Sequence, residues 1–120
     1  MNLEKIVKTF DLHVYSGFDK LDTAVLGGYT GDLLSDVMGN SKEGDLWITR
    51  QIHQNIIAVA SLKDHAGILL VHGAKPAKDT LEKALKENIP LMGTELSGFE
   101  IAGRVYNILK GSQGIAVADP

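Results

Sequence analysis

Two strand patterns separated by helical patterns constrain the fold of this chain more than any other feature. Residues 45–49 read Asp-Leu-Trp-Ile-Thr, and residues 67–71 read Gly-Ile-Leu-Leu-Val. A nearly continuous apolar run predicts a strand that is buried on both faces, as in parallel sheets covered by helices. A third strand is predicted at residues 89–92, after a helix that ends at Asn88. This alternation of strands and helices predicts an α/β architecture.

The connections between those strands carry helical periodicity. Residues 54–63 have apolar positions at helical spacing, although the β-branched residues within 56–59 also favour a strand. We prefer the helix because Gly67 ends the segment and the next strand begins at once. Residues 76–87 predict a second helix with Pro76 in its first turn. Its exposed face predicts two i,i+4 ion pairs, Asp79 with Lys83 and Glu82 with Lys86.

The N-terminal third of the chain predicts shorter elements. The patterns indicate an amphipathic helix at residues 2–10 and strands at residues 12–15 and 23–26. Asp32 is predicted to cap a short helix at residues 33–38, which Gly39 and Asn40 end.

The C-terminal region predicts one longer helix. Ser97 and Glu100 form a capping-box pattern, with Thr94 as the alternative cap. Gly111 begins a break in the helix, and the apolar segment 115–120 is either an edge strand or a tail. The apolar face of the helix is predicted to comprise Phe99, Ala102, Val105, Tyr106 and Leu109.

Charge and cysteine content exclude several classes of function. The chain has 120 residues, enough for one domain, which we place at residues 1–110 with a tail at residues 111–120. Its net charge is −3, and no basic run exceeds two residues, so the positive surface that nucleic-acid binding needs is missing. The absence of cysteine excludes disulfides, thiolate nucleophiles and cysteine-type zinc sites. With no signal-peptide pattern and no apolar membrane span, we expect a soluble, cytoplasmic protein without cofactor, metal or membrane partner.

Several segments together resemble one family of small regulatory modules. Residues 28–34, 43–49 and 55–60 resemble the DRTGG domain, which occurs beside CBS domains in some pyrophosphatases and inside some phosphotransacetylases. The segments at residues 67–73 and 89–95 continue that resemblance and are also similar to the N-terminal domain of HPr kinase. The turn at residues 44–47 and the strand at residues 66–69 are likewise similar to the N-terminal domains of muramyl ligases.

The resemblance spans about residues 20–110 and implies a three-layer α/β/α fold with a mixed, mainly parallel sheet. It implies a regulatory, oligomerising or ligand-sensing module and no particular reaction. The Asp-Arg-Thr-Gly-Gly signature that gives the family its name is absent, and the nearest polar loop lies at residues 49–53. No Gly-x-x-x-x-Gly-Lys-Ser/Thr motif occurs, so the chain is not a kinase by itself.

The carboxyl ends of the predicted strands are the expected place for a ligand. In open α/β sheets, ligands bind in the crevice at these ends, where helix N-termini direct free N–H groups outward. Arg50 and Lys75 would add positive charge there for an anion. The alternative interpretation is that these segments are ordinary βα loops with capping residues. The candidate ligand-binding residues are Thr49, Arg50, His72, Gly73, Lys75 and Thr94.

A glycine-rich run precedes the first of these strands. Gly27, Gly28, Tyr29 and Gly31 match no phosphate-binding motif, so they are interpreted as a tight turn used for packing or for a subunit interface. Trp47 is expected either in the core or as an anchor at such an interface. A small domain with a sheet edge or glycine turn to cover often dimerises, so we expect a homodimer.

Side chains with metal-binding or catalytic chemistry are sparse. The four histidines are scattered, without metal-ligand spacing. Asp32 and Asp36 are either a carboxylate pair that shares a metal or an N-cap with a surface carboxylate. His72, at a strand end, is the best candidate for an imidazole that contacts a ligand, with a structural histidine as the alternative.

These observations lead to three hypotheses of function. The preferred one is a non-catalytic regulatory or oligomerisation module that senses a small anionic ligand such as a nucleotide and contacts a protein partner. The second is a small enzyme that acts on a phosphorylated substrate, with His72, Arg50 and Thr94 in one cleft. The third is a purely structural subunit.

Overall fold

A five-stranded sheet forms the middle layer of the computed structural model, which describes residues 1–112. The strands are β1 (His13–Ser16), β2 (Gly27–Thr30), β3 (Asp45–Thr49), β4 (Gly67–Leu70) and β5 (Leu91–Gly93). Their order across the sheet is β1-β5-β4-β3-β2. Strands β2 to β5 are parallel to one another, whereas β1 is antiparallel to β5. The predicted mixed, mainly parallel sheet is therefore confirmed.

Helices cover both faces of this sheet. They are α1 (Leu3–Phe10), α2 (Leu34–Asn40), α3 (Asn55–Lys63), α4 (Lys78–Glu87) and α5 (Gly98–Ser112), and a 3-10 turn spans Phe18–Lys20. Leu46 and Ile48 of β3 pack with the buried faces of α1 and α5. Trp47, between them, points to the other face and packs with α2, α3 and α4. Because alternate residues of β3 enter two different helix layers, the fold is the expected three-layer α/β/α arrangement.

The glycine-rich run is a strand and not the predicted turn. Residues 27–30 pair with β3 over four register positions and form the edge strand β2. The predicted strand at residues 23–26 is absent, and Ala24 makes only an isolated antiparallel bridge to Asn2. Hydrogen bonds from Leu3 N to Thr23 O and from Val25 N to Met1 O hold that segment against the N-terminus instead. Strand β2 therefore begins opposite the first residue of β3. Its position is determined by pairing with β3 rather than by the strand propensity of its own side chains.

Several element ends also differ from the sequence prediction. Helix α4 begins at Lys78 and not at Pro76, and its ion pair joins Lys83 to Glu87 at 3.8 Å in place of the two predicted pairs. Helix α5 continues through Gly111 to the last described residue. The predicted edge strand or tail at residues 115–120 lies outside the described residues.

The buried face of α5 is narrower than predicted. Ile101, Val105 and Leu109 form its buried stripe, while Phe99 is 94% exposed and Tyr106 is 56% exposed. Both belong to the helix that packs against β2, the last strand of the sheet in the described residues.

Trp47 belongs to the core. It is fully buried, and its indole Nε1 donates a hydrogen bond to Gly31 O at 2.9 Å. A buried indole needs such a partner, so this hydrogen bond ties the end of β2 to the centre of β3. The alternative of an interface anchor is therefore wrong.

Candidate functional site

The carboxyl ends of β2 to β5 lie along one edge of the sheet, where two clefts open. The larger, called here the β2–β3 cleft, has a volume of about 880 Å³ and lies between the ends of β2 and β3 and the first half of α5. The smaller, called the β4–β5 cleft, has a volume of about 360 Å³ and lies beside β1. The two clefts share no lining residue. The edge where the strand pattern predicted a ligand thus has two separate clefts rather than one.

Asp32 organises the β2–β3 cleft. Its carboxylate oxygen Oδ1 accepts hydrogen bonds from Thr49 Oγ1 at 2.7 Å and from the Arg50 amide at 2.8 Å. Gln51 adds a hydrogen bond from its side-chain Nε2 to Asp32 O at 3.2 Å. Asp32 therefore fastens the end of β2 to the loop after β3. The predicted N-cap role is wrong, since the cap of α2 is Leu33, without a side-chain hydrogen bond.

Two arginines and the start of α5 give the β2–β3 cleft its positive groups. Arg50 is exposed at the mouth and makes no ion pair within residues 1–112. Arg104 Nη2 lies 2.7 Å from Glu100 Oε2, an i,i+4 ion pair on α5. Gly98 and Phe99 bring the N-terminal turn of this long helix, with its partial positive charge, to the same cleft. Of the two arginines in this cleft, Arg50 is therefore the one whose side chain makes no ion pair within residues 1–112.

The floor of the β2–β3 cleft is apolar. Ile48 and Val71 are buried at its base, and Ala102 lines the helix side. Phe99 stands at the rim with almost all of its surface in solvent. An apolar floor with a few charged groups at the mouth is the usual composition of a small-molecule site.

The β4–β5 cleft has a different character. His13 and Tyr15 pack edge to face, with ring centroids 4.4 Å apart, and form one wall. Lys75 and Glu95 contribute charges of opposite sign. Gly73 has φ +70°, a backbone conformation that strains any residue with a side chain, and Glu95 Oε2 lies beside it, 2.6 Å from the position of an added Cβ.

The structure divides the predicted ligand-binding residues between the two clefts. Thr49 and Arg50 line the β2–β3 cleft, whereas Gly73, Lys75 and Thr94 line the β4–β5 cleft. His72 lines neither. Its backbone is left-handed with φ 60°, and its amide donates to Leu96 O at 2.8 Å. The single cleft that the enzyme hypothesis requires for His72, Arg50 and Thr94 is therefore not formed.

The remaining candidate side chains have structural partners. The Tyr29 hydroxyl donates to Asp36 Oδ2 at 2.6 Å, and this hydrogen bond to a carboxylate raises the pKa of Tyr29. Asn40 Nδ2 donates to the other Asp36 oxygen at 2.9 Å. Asp36 and Asp32 therefore serve different elements and do not form a shared metal site. Within residues 1–112, no group of three His, Asp or Glu side chains is placed to hold a metal ion.

Sequence reasoning missed the contribution of α5 to the β2–β3 cleft. Phe99, Glu100 and Arg104 line it, yet Phe99 was assigned to the core and Glu100 to a capping box. The cap itself is confirmed, since Ser97 Oγ accepts a hydrogen bond from the Glu100 amide at 3.2 Å. The only sequence pattern that pointed to α5 as part of the cleft was the pair Glu100 and Arg104, which lie four residues apart at the start of a helix that follows a strand.

Comparison with known proteins supports the fold. The chain is similar to a crystal structure of the CBS and DRTGG domains of the regulatory region of Clostridium perfringens pyrophosphatase, complexed with the activator diadenosine tetraphosphate. The TM-score is 0.64 at 18% sequence identity, over 85% of this chain and 44% of that chain. This likeness supports a DRTGG-related fold, and the present chain spans less than half of the neighbour. No protein-family model matches the sequence, and no curated protein does.

None of the helices within residues 1–112 is long and apolar enough to cross a membrane.

Proposed function

We propose that this protein is a non-catalytic regulatory module that binds a small anionic ligand of the nucleotide class in the β2–β3 cleft. The observation that carries the proposal is the composition of that cleft. The cleft lies at the carboxyl ends of two parallel strands and combines three features. These are Arg50, which makes no ion pair within residues 1–112, the N-terminal turn of α5, and an apolar floor. Its volume of about 880 Å³ lies within the range of ligand sites.

Phosphate groups would be held at the mouth of the cleft. The Arg50 guanidinium can approach them bidentately, and the partial positive charge of the α5 N-terminus adds to the attraction. Arg104 would reach the ligand only by sharing or releasing Glu100, to which it is paired at 2.7 Å. Asp32 is already occupied by two hydrogen bonds, which reduces its repulsion of an anion.

A nucleobase would lie against the apolar part of the same cleft. Phe99, 94% exposed, offers a ring face for stacking, which contributes about 1–3 kcal/mol per base in single-stranded complexes. Ile48, Val71 and Ala102 form the surface beneath. The arrangement therefore favours an aromatic anion over inorganic phosphate.

The structural neighbour is consistent with this proposal. That regulatory region was solved with a nucleotide activator, and its DRTGG domain is part of a larger chain. By analogy, the present module would transmit ligand binding to a protein partner rather than carry out a reaction.

Thermal-shift and calorimetric titrations test the proposal. The full chain should be titrated with ATP, ADP, diadenosine tetraphosphate and inorganic phosphate, and we expect stabilisation by at least one nucleotide and less by phosphate. At a ligand concentration 100 times Kd, the expected stabilisation is about 2.7 kcal/mol. The variant Arg50→Ala should weaken binding roughly tenfold or more, as expected for the loss of a charge-assisted hydrogen bond of about 1.5–3 kcal/mol.

Lys75→Ala is the matched control, because Lys75 is also exposed but lines the other cleft. It should leave nucleotide affinity unchanged. If no nucleotide binds at millimolar concentration, the proposed ligand class is wrong. If Lys75→Ala and not Arg50→Ala weakens binding, the site is the β4–β5 cleft.

A further inference from the structure

The outer edge of β2 is open in the described residues. Within residues 1–112, strand β2 is last in the sheet order and pairs only with β3. Gly31 N–H donates to Ile48 O at 3.1 Å, and amides alternate in direction along a strand. The amides of Gly28 and Thr30 therefore point away from β3. They form a short row of hydrogen-bonding groups at the edge.

The two edges of the sheet differ in how they are protected. Strand β1, at the opposite edge, has an irregular register between Val14 and Ser16. Bulges of this kind, charged side chains and proline are the devices that prevent edge pairing. Strand β2 pairs regularly at all four positions and contains two glycines, a tyrosine and a threonine, without charge or proline.

Exposed apolar side chains surround this unprotected edge. Leu26, immediately before β2, is 63% exposed, and Leu33, shortly after it, is 69% exposed. Phe99 lines the same cleft as Thr30 of β2, and Tyr106 lies seven residues later on the same side of α5, the helix that packs against β2. Single exposed hydrophobic residues are ordinary, but two that flank one open strand together with two on the helix beside it indicate an interface.

We propose that β2 pairs antiparallel with β2 of a second copy about a twofold axis perpendicular to the sheet. An uncharged edge is complementary to itself, and a twofold axis brings the same patch together from both subunits. The two sheets would become one ten-stranded sheet, with both α5 helices on the same face. The antiparallel arrangement would place Phe99 of each copy near Tyr106 of the partner subunit.

The available area fits a weak to standard dimer. At about 200 Å² for a whole aromatic side chain, the exposed parts of Phe99 and Tyr106 contribute roughly 300 Å² per copy. Leu26, Leu33 and the strand itself bring this toward the roughly 600–800 Å² per partner of a specific interface. This inference concerns assembly and shares only Thr30 and Phe99 with the proposed ligand site, so the variants at Gly28 and Tyr106 test it separately from nucleotide binding.

Sedimentation velocity of the full chain over a range of concentrations tests the inference. We expect a concentration-dependent species of twice the monomer mass. The variants Gly28→Lys and Tyr106→Glu should weaken dimerisation by at least roughly tenfold, because the first places a charge at the strand edge and the second replaces an aromatic ring of the contact with a carboxylate. An added Cβ at Gly28 would meet only Leu46 O at 3.5 Å, an ordinary contact, and Tyr106 is exposed, so both variants should fold.

Leu62→Glu is the matched control, since Leu62 is 75% exposed on α3, away from β2. It should leave the dimer intact. Amide exchange gives the second readout: Gly28 and Thr30 should be protected in the dimer and exchange rapidly in Tyr106→Glu. A strictly monomeric protein would overturn the inference, and so would a dimer that survives both variants or leaves these amides unprotected.

Discussion

Acidification should destabilise this protein through one buried histidine. His65 is 9% exposed and lies at the N-terminal end of β4, with its ring edge-on to Trp47 at a centroid distance of 5.5 Å. Its Nε2 lies 2.8 Å from Ser41 Oγ, and that hydroxyl lies 2.6 Å from Val37 O. Nδ1 is buried and has no hydrogen-bond partner within the described residues.

The hydrogen-bond pattern assigns the tautomer of this imidazole. Ser41 has one hydroxyl proton, which it donates to Val37 O, so its oxygen accepts from Nε2–H of His65. Nδ1 then carries only a lone pair, which is tolerable in the core. Protonation would add a second N–H there without an acceptor.

The charges around the ring do not reverse this effect. Burial is the largest cause and lowers the pKa of His65, and Lys63 lowers it further, whereas Asp45 and Asp64 raise it. The folded-state pKa therefore lies below the value of about 6.5 in the unfolded chain. Below pH 6.5 the unfolded state binds a proton that the folded state does not, so stability is lost as the pH falls.

The size of the effect follows from proton linkage. The free energy of unfolding should decrease by up to about 1.4 kcal/mol per pH unit below pH 6.5, until the folded-state pKa is reached. Between pH 7.5 and pH 5.5 the total loss is about 1.4 kcal/mol if the folded form stays neutral throughout. The other three histidines are exposed.

Urea unfolding followed by fluorescence of Trp47, the only tryptophan, measures this loss. The variant His65→Gln retains an amide donor for Ser41 and cannot titrate, so its stability should change less over the same pH range. The difference between the two proteins isolates the contribution of His65 from that of other groups. Equal pH dependence in both, or a wild-type protein that becomes more stable in acid, would refute the reasoning.

Two further substitutions test other parts of the structure. Gly17→Ala should lower the free energy of unfolding by at least about 2 kcal/mol, because φ is +77° and the new Cβ would lie 2.5 Å from Pro90 Cα. Thermal unfolding should show this loss. The control Gly39→Ala lies in α2, where an added Cβ meets no atom within 4 Å, so it should be neutral or stabilising. Thr49→Val should lower the free energy of unfolding, measured by chemical denaturation, by about 1–3 kcal/mol, because Asp32 loses the hydroxyl that donates to it at 2.7 Å. The same change should weaken the binding of any ligand in the β2–β3 cleft. Unchanged stability would show that this contact does not hold the cleft together.

The sequence predicted an element most accurately where the residues of that element alone determine its structure. Strand β3 and helix α3 were predicted within one residue, because a continuous apolar run and a helical stripe are local signals. Strand β2 was missed because two of its four residues are glycine. It exists because β3 offers a partner at the right distance along the chain, and such pairing cannot be read from either segment alone.

The candidate site shows the same division. Thr49 and Arg50 could be located from the end of a predicted strand, as loops at this edge follow from the fold class. Asp32 appeared to be a helix cap, because its actual donors come from a strand 17 residues later. The side of α5 left open depends on where the helix crosses the sheet, so exposure of Phe99 was not predictable from its periodicity.

Amide chemical-shift mapping during an ATP titration tests the central claim most directly. If the β2–β3 cleft is the ligand site, the largest shifts should come from Gly31, Arg50 and Phe99, and they should saturate together at one Kd. The amides of Gly73 and Thr94 should be little affected, because they line the other cleft. Saturable shifts confined to Gly73 and Thr94, or no saturable shift at any of these positions, would contradict the account.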